Sequence, residues 1–98
     1  MLYIGVLQFT LELPYAESLK EKRGVLRSLK DKLRRSFNAS FSEFEDLDDP
    51  TLATMGAVVA GSDTKHVNST MDHLINELDE WRDGTLVDHR LEIIRPNP

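Results

Sequence analysis

Two runs of helical period, each set between runs of strict alternation, constrain this 98-residue chain more than any other feature. In the second half of residues 2–13, Leu7, Phe9, Leu11 and Leu13 alternate with Gln8, Thr10 and Glu12, the mark of a half-buried strand that Pro14 ends. Residues 18–37 then open on a capping box. The Ser18 hydroxyl is placed to accept from the Glu21 amide, and the Glu21 carboxylate to reach back to the Ser18 amide, so a helix starts near Leu19. Leu19, Leu26, Leu29, Leu33 and Phe37 fall within roughly 80° of one another around that helix and form its buried stripe. Asn38–Phe44 reads as a second strand with a bulge near Glu43, because Phe44 breaks the alternation. An acidic loop, Glu45 to Pro50, follows, and its like charges favour solvent.

Leu52–Ala60 carries no charge and suits a central strand. From Thr64 the helical period returns, with Val67, Met71, Leu74, Ile75, Leu78 and Trp81 on one stripe, and Gly84 is expected in the left-handed position that stops this helix. Thr85–Ile94 alternates again, setting Val87, His89, Leu91 and Ile93 against Leu86, Asp88, Arg90, Glu92 and Ile94, and residues 95–98 are expected to form a frayed tail. The order β-α-β-β-α-β, with right-handed crossovers, places both helices on one face of a four-stranded antiparallel sheet. That is a ferredoxin-like α+β sandwich, expected as one domain over residues 1–98. Its first and third strands are central, its second and fourth are edges, and one sheet face carries no helix.

Charge is segregated. Eight of the twelve Lys and Arg residues lie between Lys20 and Arg35 with only Glu21 and Asp31, so this helix is locally +6 while the rest of the chain carries −11. The absence of cysteine excludes a disulfide framework, a thiolate nucleophile and a Cys-rich zinc site. The N-terminus lacks a basic signal region and its apolar run is too short for a membrane span, so a cytoplasmic protein is expected.

The strand ending Leu11-Glu12-Leu13-Pro14, the block Ser-Leu-Lys-Glu-Lys-Arg at 18–23, Arg-Ser-Leu-Lys-Asp-Lys-Leu at 27–33 and Phe-Asn-Ala-Ser at 37–40 resemble the YlxP-like family of small uncharacterised bacterial proteins. The later Gly61-Ser62-Asp63 also fits the family, whereas Asp48-Asp49-Pro50-Thr51-Leu52 stands where the family usually has a segment with Trp, Gln and Arg. The resemblance implies a ferredoxin-like fold and a loose association with translation or ribosome maturation. It implies no established activity or catalytic residue.

Candidate chemistry is sparse. The loop Pro14-Tyr15-Ala16-Glu17 brings an acid where a phosphate-binding loop needs amides and an arginine. His66 and His73 lie seven residues apart on the second helix with Glu77 one turn on, which a metal ion could use geometrically but which more often describes exposed helix residues. His89 reads as a packing residue rather than a general base, since no serine or carboxylate pairs with it. No catalytic residue, metal site or cofactor is therefore assigned, and the chain is expected to be non-enzymatic. The third strand has no aromatic residue, so the base-stacking platform of RNA-binding sheets is missing. Lys22 falls inside the apolar stripe and is expected to meet a carboxylate, with Glu12 or Glu43 as candidates.

Two surfaces remain. Lys20, Arg23, Arg27 and Arg34 fall within roughly 60° of one another beside the apolar stripe and form the candidate partner-binding face, with RNA or the ribosome as partner. The ordinary alternative is a solvated charged face. Leu2, Ile4 and Val6 lie on the helix-free sheet face, with Leu86 or Ile94 as possible neighbours, and are the candidate self-association surface of a homodimer. The second functional reading is thus a homo-oligomeric scaffold or regulator without nucleic acid.

Overall fold

The computed structural model describes residues 1–96, and its elements are β1 (Tyr3–Glu12), α1 (Leu19–Ser36), β2 (Ser40–Glu45), β3 (Leu52–Gly61), α2 (Thr64–Glu80) and β4 (Thr85–Ile94). The sheet order is β2-β3-β1-β4 with every neighbouring pair antiparallel, which is the ferredoxin-like α+β arrangement. Arg95 and Pro96 leave β4 without regular structure, and the rest of the expected tail lies outside the described residues.

The alternation in β1 does the sorting. Leu7, Phe9 and Leu11 are buried with Ala53, Met55, Ala57 and Val59 of β3, and Leu26, Leu29 and Leu33 of α1 and Met71, Leu74 and Leu78 of α2 close over them in one cluster. Each large side chain so buried contributes roughly 1.5–3 kcal/mol. Because every core strand residue is two positions from the next, the other sheet face receives Gln8, Glu12 and Val58, which are exposed.

Glycines set how closely α2 approaches. A Cβ on Gly5 would come 2.8 Å from Val67 Cγ1, and one on Gly61 would come 2.7 Å from Val67 Cγ2, so Val67 packs into space that only glycine leaves on both central strands. Gly84 has a related role rather than the left-handed one expected, since no glycine has a positive φ. The helix stops at Trp81, whose backbone is extended, and a Cβ on Gly84 would lie 2.7 Å from both the Glu12 carbonyl oxygen and Trp81 Cζ3. Gly84 is needed for the close approach of this turn to the end of β1.

The bulge in β2 lies between Glu43 and Glu45, as the broken alternation predicts. A second bulge, between Thr10 and Leu11 in the β1–β4 pairing, leaves Val87 without a partner and sets Leu86 opposite buried Leu11. Leu86 is therefore on the helix side and packs against the core, which corrects its expected place beside Leu2, Ile4 and Val6.

Candidate nucleic-acid interface

The basic face begins with the cap of α1. Ser18 Oγ accepts from the Glu21 amide at 3.1 Å, as expected, but the Glu21 carboxylate accepts from the Glu17 amide at 3.0 Å instead of from Ser18. This fixes the rotation of the helix from its first turn. Lys20, Arg23, Arg27 and Arg34 are all exposed. Among the described residues Lys20, Arg23 and Arg27 have no carboxylate within ion-pairing distance, and Arg34 meets only Asp31, at 4.0 Å. Lys32, about 150° around the helix from the centre of this stripe, lies 3.9 Å from Glu77 of α2, so the stripe occupies the flank of α1 turned away from α2. Half-buried Lys30 falls on the same flank, a residue the sequence reading did not single out. Arg34 and Arg35 occupy the last helical turn, where they also complement the carbonyl end of the helix.

Lys22 points the other way. Its side chain is 1% exposed, and its ammonium lies 2.6 Å from Glu43 Oε2 and donates to the carbonyl oxygens of Asp46 and Asp49, each at 2.7 Å. Of the two carboxylates expected as partners, Glu43 is the one it meets. Three acceptors satisfy the three N–H donors of the ammonium, and this single buried charge ties the acidic loop to α1. Asp46 takes the left-handed conformation, φ 59°, and its carboxylate accepts from the Thr54 hydroxyl at 2.6 Å. The Asp49 carboxyl is held below its ordinary value by the Thr51 amide and then the Thr51 hydroxyl, both donating to Oδ1, with the Lys22 charge adding to them against the opposing effect of burial.

Between the β1–α1 linker, α1 and the residues after α2, a shallow cleft of about 480 Å³ is lined by Tyr15, Glu21, Gly24, Val25, Ser28 and Arg82 among others. Tyr15, in the linker before α1, is 85% exposed. Lys20 and Arg27 lie one helical turn to either side of Gly24, so the cleft meets the cationic stripe at its Gly24 edge, while Glu21, Val25 and Ser28 carry it round toward the residues after α2.

The open sheet face divides in two. Ile4 is flanked by Ala60 and Ile94, and Val6 by Val58 and Glu92, so of the two expected neighbours on β4 it is Ile94 that joins the apolar patch, and β3 extends it further. Leu2 is exposed one residue before the strand. The other end is polar, with Gln8, Thr10, Thr54, Asp88 and Arg90 around the exposed ring of Phe44. This aromatic was missed on the open face. Phe44 is the bulge residue, and its ring lies against Gly56, where a Cβ would be 3.8 Å from it. The joint signal was a phase break in one strand and a glycine in its neighbour.

His89 shares a sheet face with Phe9 but is exposed on the edge strand, so it is not the packed residue expected. Its neighbours on the same face of β4, Leu86 and Leu91, do pack against the core, so the exposure is local to His89. His66 and His73 are exposed along a cleft with Thr70 and Phe37. Among the described residues no three His, Cys, Asp or Glu side chains are grouped to hold a metal ion, and no helix is long and apolar enough to cross a membrane.

A family model described as "Protein of unknown function (DUF503)" matches residues 4–91. No curated protein matches the chain.

Proposed function

The chain belongs to the DUF503 family, and we propose that it is a non-enzymatic cytoplasmic binding module that meets RNA or the ribosome through the basic face of α1. The observation that carries this reading is the set of exposed cations Lys20, Arg23 and Arg27, none of them paired with a carboxylate among the described residues, on a chain that is otherwise strongly acidic. Side chains of one sign on one flank attract a polyanion, while the −11 elsewhere disfavours other approaches. The finer resemblance to YlxP-like proteins, carried by the Ser18–Arg23 block, supports a partner in translation. His89 on β4 lies apart from His66 and His73, which share one cleft along α2 with Thr70 and Phe37 and, among the described residues, no carboxylate, and this supports a binding role over catalysis.

Pull-down of the tagged protein from lysate, with and without RNase, tests the reading. Ribosomal partners that vanish on nuclease treatment support it; partners that survive the nuclease, or an empty eluate, count against it.

A second reading, a homodimeric scaffold, is favoured by one observation. Ile4, Val6, Val58, Ala60 and Ile94 make a continuous apolar patch over three strands at one end of the open face, and Val58 and Ile94 are exposed within it.

A further inference from the structure

We propose that the cleft beside the basic face, between Tyr15 and Gly24, receives one unstacked base of a single-stranded RNA; this rests on the RNA-binding reading above. Of the five glycines, Gly5, Gly61 and Gly84 leave no room for a Cβ, and at Gly56 one would meet the Phe44 ring at an ordinary 3.8 Å. Gly24 is the exception. It lies inside α1, in the second turn, where glycine disfavours the helix, and has nothing within 4 Å of its missing side chain. The space it leaves is part of the cleft, so a flat group can lie there against the backbone of the helix.

The other walls suit a base. Tyr15, 85% exposed, has its ring available for stacking, and Val25 adds apolar surface. Glu21 and Asp83 supply carboxylate oxygens that accept from the amino and imino groups of a base edge, while Ser28 and Arg82 supply donors for its carbonyls. Two carboxylates also disfavour a phosphate inside the cleft. The phosphates are instead held one helical turn away by Lys20 and Arg27. An aromatic platform beside a row of cations is the arrangement by which single strands are bound without a paired duplex.

Fluorescence anisotropy at ~50 mM salt with labelled RNA of about 8 nucleotides, as single strands of each base and as a duplex, tests this on the full chain. Tyr15→Ala should weaken single-strand binding by about ten- to a hundredfold and leave duplex binding unchanged, whereas Tyr15→Phe keeps the ring and should bind like the wild type. Gly24→Gln should raise Tm by about 2–8 °C, because a better helix former replaces glycine, yet weaken single-strand binding comparably by filling the cleft. If Tyr15→Ala and Gly24→Gln bind the single strand as tightly as the wild type while Arg27→Glu/Arg34→Glu does not, the base site is wrong and the basic-face reading survives. If the wild type binds no RNA, or the charge-reversed variant binds fully, both are overturned.

Discussion

The Lys22 ammonium, on the first helix, lies 2.6 Å from Glu43 Oε2 on the edge strand, and both side chains are shielded from water, at 1% and 19% exposure. Among the described residues that ammonium is the only partner of this oxygen. The pair joins α1, β2 and the acidic loop at one point.

Lys22→Met should therefore destabilise the protein by about 3–5 kcal/mol, because it leaves the Glu43 charge and the Asp46 and Asp49 carbonyls without their shared donor. Urea unfolding measures the loss. Hydrogen exchange should show residues 46–49 opening more readily than the core strands, and a variant with wild-type midpoint would show that the loop does not depend on this charge.

Acid should loosen the same loop. The folded-state pKa of Asp49 is depressed from its ordinary 3.8, so its contribution is fully present above that value and is lost as pH falls through the depressed pKa. Carboxyl NMR titration should place the Asp49 midpoint below 3.8. In Asp49→Asn, stability should no longer fall through this window by the amount that Asp49 contributes.

The glycines should respond in opposite directions. Gly84→Ala forces a Cβ to 2.7 Å from the Glu12 carbonyl oxygen and should cost about 1–3 kcal/mol. Gly24→Ala meets nothing and should stabilise by roughly 0.5–1 kcal/mol. Thermal melts of the two variants decide it, and a loss of stability in Gly24→Ala would mean that the exposed helical glycine has an internal role.

The apolar patch predicts concentration-dependent association. A chain that dimerises through it should sediment as a dimer at high micromolar concentration, and Val58→Lys, on the exposed face of β3, should return it to monomer without unfolding. A wild type that stays monomeric removes the scaffold reading.

The elements themselves were readable because their periods are strict. Leu7, Phe9 and Leu11 can be inward only if Gln8 and Thr10 are outward, and the cap at Ser18 sets the rotation of α1. What escaped were features that depend on tertiary contact. Gly84 looked like a helix stop because its neighbours Glu12 and Trp81 come close only in the fold. Leu86 changed faces because a bulge inserted Val87, a shift that no local pattern in β4 announces. Of the candidate site, the stripe of Lys20, Arg23, Arg27 and Arg34 followed from helical geometry. The cleft at Gly24 did not, since its walls come from the β1–α1 linker and the residues after α2.

Binding of RNA by the basic face is tested most directly by a salt titration of wild type against Arg27→Glu/Arg34→Glu. Neither arginine packs in the core, so the variant should stay folded, its Tm lowered only by the few degrees that follow from losing a cation at the carbonyl end of α1 and setting a second acid beside Asp31. With about three or four phosphates engaged, the wild type should bind single-stranded RNA with micromolar Kd at ~50 mM salt and a log–log slope near −2 to −3, and the variant should not bind. Full binding by the variant, or no RNA binding by the wild type at that salt, would contradict the account and leave the cations of α1 as a solvated face.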